Sequence, residues 1–145
     1  MNARRVTDEL AVSEQISTTD VAAIAAAGFR SIVCNRPNGE SPDQADFQSI
    51  EDEARRVGLE VRWQPVISGH VQNEDAKTFG EIISKLPSPV FAYCRSGTRC
   101  IVLWSLSQAG RRPTSEIIKA AYEAGYDLAS LAPRLKEIAA DATNR

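Results

Sequence analysis

The stretch that decides the fold is residues 90–100, VFAYCRSGTRC. It opens with a short apolar run, introduced by Pro87 and Pro89, that predicts a buried strand. At Cys94 the chain becomes small, polar and glycine-containing. From Arg99 onward apolar residues resume over a length typical of a buried helix. The sequence therefore predicts a strand that ends at Cys94, followed by a tight turn and then by a helix.

Cys94 is the candidate nucleophile of this turn. The backbone amides of residues 95–100 can form an anion-binding nest, and the positive end of the following helix adds to it. Arg95 and Arg99 flank the thiol, so Cys94 should ionise more easily than a free cysteine, whose pKa is about 8.5. Because the thiolate is the nucleophilic form, this stretch describes a reactive cysteine in an anion cradle.

The neighbouring loop residues have supporting roles. Ser96, Gly97 and Thr98 mainly contribute backbone amides, and Gly97 permits a positive φ or a close approach. A cysteine at a strand end is often a small buried hydrophobe, and this interpretation comes first for Cys34 and Cys100. Two explanations stay open for Cys100: it resolves a persulfide on the nucleophile, or it fills space.

Composition bounds the class of protein. At 145 residues we expect a single domain over residues 1–145. A net charge of −2 supports neither nucleic-acid binding nor a membrane surface, and no apolar run reaches the length of a signal peptide or membrane span. An odd number of cysteines favours a reducing compartment, so a cytoplasmic location is expected. One histidine and no Cys-x-x-Cys pair argue against a metal site, and no cofactor is expected.

Strand and helix patterns alternate along the chain. Apolar runs predict strands at 10–12, 29–34, 59–66 and 90–93, with Trp63 and Trp104 in the core. Helical patterns lie at 17–27, 47–57, about 73–86, from 99 onward, at 114–124 and at 128–140. This alternation predicts an α/β fold with a mainly parallel central sheet of about four to five strands and helices on both faces.

Ligands in such folds bind at the carboxyl ends of the strands. This rule brings the turn after Cys34 and the loop at 66–73 close to Cys94. Asn35, Arg36 and His70 are therefore candidate walls of the pocket. Arg36 has an equally good alternative, a simple ion pair with Glu40 or Asp43.

Residues 93–99, YCRSGTR, resemble the active-site loop of rhodanese-type sulfurtransferases, whose pattern is Cys-Arg-x-Gly-x-Arg or Thr. They resemble the phosphate loop of cysteine-dependent phosphatases less well. Those enzymes place five residues between Cys and Arg, whereas four separate Cys94 from Arg99, and Tyr93 stands where a His usually precedes the cysteine. Together with residues 29–40, the loop is similar to the beta-lactamase-hydrolase-like, phosphatase-like family. The resemblance implies a three-layer cysteine-phosphatase-like fold with a rhodanese-sized loop.

The resemblance implies a sulfurtransferase that carries sulfur as a Cys94 persulfide, with Arg99 clamping the anionic substrate. Its partners would be a small anionic sulfur donor such as thiosulfate or a low-molecular-weight persulfide, a thiol acceptor, and a persulfide dioxygenase, to which some family members are fused. A phosphatase acting through a phosphocysteine is the alternative. It needs a general acid, and residues 61–73 contain no Asp or Glu. A third hypothesis is a non-catalytic module that senses an anion or an oxidant through Cys94.

Overall fold

A five-stranded sheet forms the centre of the protein. The computed structural model describes residues 1–143. Its strands are β1 (Arg4–Thr7), β2 (Leu10–Ser13), β3 (Ser31–Cys34), β4 (Glu60–Trp63) and β5 (Val90–Tyr93). Their order is β1-β2-β5-β3-β4, and every neighbouring pair is parallel except β1 and β2. The predicted mainly parallel sheet of four to five strands is confirmed.

Helices cover both faces of the sheet, as predicted. They are α1 (Thr18–Ala26), α2 (Phe47–Arg56), α3 (Asn73–Lys85), α4 (Thr98–Gln108), α5 (Thr114–Glu123) and α6 (Ala132–Thr143). Helices α1 and α2 pack on one face in one apolar cluster, and the other four contribute to a second cluster on the opposite face. The result is a three-layer α/β architecture.

Strand β5 shows why the sheet is covered twice. All four of its residues are buried, and their side chains alternate between the two clusters. Val90 and Ala92 belong to the cluster with α3–α6, whereas Phe91 and Tyr93 belong to the cluster with α1 and α2. A continuous apolar run therefore marks a central strand buried on both faces, with its carboxyl end aimed at Cys94.

Three sequence predictions need correction. Strand β1 is missing from the prediction because Arg4–Thr7 has no apolar run; it is an edge strand paired antiparallel to β2. Trp63 is not core: it is 37% exposed on edge strand β4, stacks on Phe47 and donates its indole N–H to the Arg36 carbonyl. The last helical segment begins with a 3-10 turn, Ala129–Leu131, before α6. Trp104 is buried, as predicted.

Within residues 1–143, no helix combines the length and the apolar character that a membrane crossing requires.

Candidate active site

Cys94 is the first residue after β5, and the loop that follows it turns directly into α4. Gly97 ends this loop with a φ of 91°, the left-handed conformation that favours glycine, and caps the helix. Its backbone N–H donates to Cys94 Sγ at 3.1 Å. The predicted strand, turn and helix are therefore confirmed, and the turn aims an amide at the sulfur.

The Cys94 thiol ionises easily although only 1% of the residue is exposed. A hydrogen bond from the Cys100 thiol, the Cys100 and Gly97 backbone amides and the charge of Arg99 together lower its pKa to about 6, against the opposing effect of burial. A pKa of about 6 leaves the thiol mostly ionised at neutral pH. Cys94 has the protonation state that a nucleophile needs.

The other two cysteines lack this property. Cys34 and Cys100 are buried, and burial raises the pKa of each thiol. Cys34 donates to the Arg36 carbonyl at 3.4 Å, which is an ordinary structural contact. Cys100 fills a completely buried position and hydrogen-bonds Cys94, so it can favour the thiolate without ionising itself.

Arg99, the expected substrate clamp, is itself held by a carboxylate. Its Nη1 and Nη2 donate to the two carboxylate oxygens of Glu40 at 2.9 and 2.8 Å, and Nη1 also donates to the Val66 carbonyl at 2.9 Å. Hydrogen bonds from Arg99 and then Arg36 lower the pKa of Glu40 to about 2. Glu40 is therefore ionised at neutral pH and bridges two buried arginines.

Arg36 forms the second half of this bridge. Its Nε donates to Glu40 at 2.8 Å and its Nη1 to the Gln15 side chain at 3.0 Å. Of its two predicted alternatives, the pairing with Glu40 is the one observed. The sequence does not predict the link from Glu40 to Arg99, 59 residues away, because nothing local to residues 36–40 points to it.

Asn35 and His70, the other candidate walls, lie differently. Asn35 is fully buried; its backbone N–H donates to the Tyr93 carbonyl and its side chain to the Gln64 carbonyl, so it ties neighbouring strand ends together beneath the site. His70 is exposed in the loop after β4, and its imidazole does not line the cleft that opens beside the Cys94 loop.

A cleft of about 320 Å³ opens beside the loop. One wall comes from the loop and the start of α4, with Arg95, Ser96 and Thr98 exposed and Arg99 buried. The remaining lining residues come from the segment after β4 and from helices α4 and α6: Ser68, Gly69, Val71, Val102 and Arg134. The cleft therefore lies at the carboxyl ends of the strands, where ligands bind in such sheets.

Two residues from the C-terminal part of the chain, Tyr126 and Arg134, reach this site. The Tyr126 hydroxyl donates to the Ser96 carbonyl at 2.9 Å, and a Cβ on Gly97 would collide with that hydroxyl. Arg134 of α6 donates to the Val71 carbonyl and the Asn73 side chain. Sequence reasoning missed both residues, since a tyrosine after a helix and an arginine on an amphipathic helix have ordinary structural explanations.

The comparisons with known proteins agree with this geometry. Residues 2–111 match the family model for the phosphatase-like domain of beta-lactamase hydrolase-like proteins. The chain belongs to this family. The resemblance inferred from the Cys94 loop is thereby confirmed.

Relatives of the family extend the comparison. A beta-lactamase hydrolase-like protein of Xylella fastidiosa is 33% identical over 133 residues, which are 90% of this chain and 31% of that protein. A candidate phosphatase from Neisseria meningitidis z2491 is 36% identical, with a TM-score of 0.83, and the match covers 92% of this chain and 96% of that one. The chain thus spans about a third of the curated relative.

A more distant structure shows the fold alone. Tk-PTP in its active form is 17% identical, with a TM-score of 0.69 over 95% of this chain and 96% of that one. The cysteine-phosphatase-like fold is therefore confirmed. The phosphatase descriptions favour the phosphatase alternative, and none of these comparisons supports the sulfurtransferase expectation.

Proposed function

We propose that the protein is a cysteine-dependent phosphatase in which Cys94 forms a phosphocysteine. The observation that carries this proposal is the buried Cys94 thiol, with a pKa of about 6, at the start of a loop whose amides open α4. Membership of a phosphatase-like family and the likeness to the Neisseria meningitidis protein support phosphoryl transfer over other chemistry at this cysteine.

In the proposed reaction the Cys94 thiolate attacks the phosphorus of a phosphate group. An S–P bond forms, and the bond from phosphorus to the leaving oxygen breaks with its electron pair on that oxygen. The loop amides and the positive end of α4 stabilise the negative charge on the other phosphate oxygens. Water then attacks the phosphorus, and the electron pair of the S–P bond returns to Cys94. One proton of the water stays on the orthophosphate, and the other balances the charge of the departed oxygen.

Arg99 stabilises the same charge from the side. A guanidinium has five N–H donors, and three bonds tie Arg99 to Glu40 and Val66. The remaining two N–H groups are available to Cys94 and a bound anion, because Arg99 also lines the cleft. Glu40 thus orients the guanidinium before substrate arrives, which lowers the entropic cost of binding.

Sulfur transfer is the second candidate, favoured by one specific observation. Only four residues separate Cys94 from Arg99, a spacing that matches the smaller rhodanese-type loop. In that reaction the thiolate attacks the outer sulfur of thiosulfate, an S–S bond forms on Cys94, and sulfite departs with the electron pair of the broken bond. A thiol acceptor then removes the sulfur.

One parallel assay separates the two candidates. Purified protein is incubated with p-nitrophenyl phosphate, with thiosulfate plus cyanide, and with glutathione persulfide, and intact-mass spectrometry follows Cys94. Phosphatase chemistry predicts phosphate release, inhibition by orthovanadate, and loss of activity in Cys94→Ser but not in the buried-cysteine control Cys34→Ser. Thiocyanate formation with one added sulfur on Cys94, and no phosphate release, would overturn the proposal in favour of sulfur transfer.

A further inference from the structure

The wall of the cleft contributed by α6 carries a positioned arginine. Arg134 Nε and Nη2 donate to Asn73 Oδ1 at 3.0 and 2.7 Å, and Nη2 also donates to the Val71 carbonyl at 2.8 Å. Its third nitrogen, Nη1, makes no hydrogen bond within residues 1–143. Because the planar fork is held by two partners, Nη1 is presented at little further cost in side-chain entropy.

Every charged residue that lines this cleft is positive. The charged lining residues are Arg95, Arg99 and Arg134, and no carboxylate or imidazole in residues 1–143 lines it. Arg95 is exposed, and its side chain makes no hydrogen bond within the same range. Unlike Arg99, which shares the charge of Glu40, Arg95 and Arg134 therefore have no anion beside them in the cleft. Two uncompensated guanidiniums predict a ligand with more than one negative group.

The lining also restricts the leaving group. A phosphatase that acts on alkyl phosphates needs an acid to protonate the departing oxygen. Glu40, the carboxylate bound to Arg99, has a pKa of about 2 and both its oxygens engaged, so it carries no proton to give. The lining therefore favours a substrate whose leaving group departs as a stable anion.

We propose that the substrate is a phosphoric anhydride and that Arg134 binds its departing phosphate. This inference rests on the proposed phosphatase function and names the substrate class for the same site. The terminal phosphate occupies the amide nest at Cys94, and the second phosphate lies against Arg134, with Arg95 at the rim. Both phosphates are anionic, which matches the positive lining of the cleft.

The chemistry balances without an added proton donor. The Cys94 thiolate forms an S–P bond with the terminal phosphorus, and the bond to the bridging oxygen breaks. The electron pair stays on that oxygen, where it is shared among the oxygens of the departing phosphate and stabilised by Arg134. Water then attacks the phosphocysteine, and the S–P electron pair returns to Cys94. One proton of the water stays on the new orthophosphate, and the other passes to solvent, where it balances the charge gained by the departed phosphate.

The test compares two substrates that differ in the charge of the leaving group. Inorganic pyrophosphate has a phosphate leaving group that is already anionic in the substrate. The ring of p-nitrophenyl phosphate is neutral in the substrate and departs as p-nitrophenolate, a weak base that needs no acid either. We expect Arg134→Gln to lower kcat/KM for pyrophosphate by about 10- to 100-fold, the effect of one lost charge-assisted hydrogen bond. The value for p-nitrophenyl phosphate should change by less than about 3-fold, since its leaving group has no phosphate oxygens for Arg134 to bind and spreads its single developing charge into the nitrophenyl ring.

Two further variants keep the test sharp. Lys136→Gln removes the same charge from an exposed position of α6 that does not line this cleft, and it should leave both substrates unaffected. Arg134→Lys keeps the charge and should restore part of the pyrophosphate activity. Circular dichroism and thermal denaturation confirm that each variant is folded.

The outcomes separate this inference from the proposed function. Equal losses on both substrates in Arg134→Gln would show that Arg134 only holds the loop at Val71 and Asn73, and would overturn the inference. So would Cys94-dependent turnover of p-nitrophenyl phosphate with none of pyrophosphate. If Cys94 releases phosphate from neither substrate, the phosphatase function itself fails, and the substrate class falls with it.

Discussion

The arginines on the two sides of the Cys94 loop differ in whether a carboxylate balances their charge. We define the inner side as Arg36, Glu40, Arg99 and Cys100, and the outer side as Arg95, Tyr126 and Arg134. On the inner side both arginines are less than a tenth exposed and share one carboxylate. On the outer side neither arginine has a carboxylate partner within residues 1–143.

This difference separates the arginines that hold the catalytic groups in place from the arginines that are free to bind an anionic ligand. A buried guanidinium without a partner is strongly destabilising, so the inner arginines are tied to Glu40 before any ligand arrives. An unpaired guanidinium near water stays hydrated, so it destabilises the fold little and remains available to bind an anion. We infer that the inner side prepares Cys94 and Arg99 for the reaction, whereas the outer side selects the substrate.

The largest effect on stability and activity should come from removing the Glu40 carboxylate on the inner side. Glu40→Gln removes the carboxylate that Arg36 and Arg99 share, and leaves the Cys94 thiolate as the remaining anion beside Arg99. We expect the free energy of unfolding in urea to fall by about 2 kcal/mol, less than for a fully buried pair because water reaches part of the Glu40 side chain. We also expect kcat/KM to fall by about 10- to 100-fold as Arg99 loses its orientation.

The matched control is Glu51→Gln, which breaks an exposed pair with Arg55 on α2. It should change the free energy of unfolding by less than about 0.5 kcal/mol and leave kcat/KM unchanged. If the two variants unfold alike, Glu40 does not balance the inner charges, and the contrast between the two sides fails.

A smaller effect should follow from Cys100, the uncharged member of the inner side. The folded pKa of Cys94, about 6, is lower than that of a free thiol, so the thiolate fraction rises with pH through about 6 and is lost below it. Cys100→Ala removes the thiol hydrogen bond and should move this midpoint upward. Rates of iodoacetamide alkylation at Cys94, measured from pH 5 to 9, test the shift.

The plateau rate at high pH should stay the same in Cys100→Ala, because the intact thiolate is reached in both proteins. Cys34→Ala is the control, since Cys34 donates its hydrogen bond to Arg36 rather than to Cys94. An unchanged midpoint in Cys100→Ala would mean that the backbone amides and Arg99 alone lower the pKa.

The smallest effect should come from Tyr126 on the outer side. Tyr126→Phe removes one hydrogen bond to the Ser96 carbonyl at the rim of the loop, a change of about 1 kcal/mol. We expect kcat/KM to fall by about 2- to 5-fold with little change in the thermal midpoint. Tyr122→Phe, at an exposed tyrosine one turn earlier, should have no effect. A loss larger than that of Glu40→Gln would reverse the assignment of the two sides.

The alternation of strands and helices and the strand–turn–helix at Cys94 could be predicted from the sequence, because both depend on local patterns. Buried apolar runs mark β3 and β5, and Gly97 adopts the positive φ that its residue type permits. Edge elements were predicted less well. Strand β1 and Trp63 lie where the sheet meets solvent, and there the apolar pattern no longer reports burial.

The sequence by itself identified Cys94 as the candidate nucleophile, because the amides and the glycine that surround it follow within six residues. Tertiary structure decided what the arginines do. Glu40 reaches Arg99 across 59 residues, and Arg134 reaches Val71 across 63. An ion pair or a cleft wall between distant segments depends on how helices pack on the sheet, and no periodicity within either segment encodes that distance.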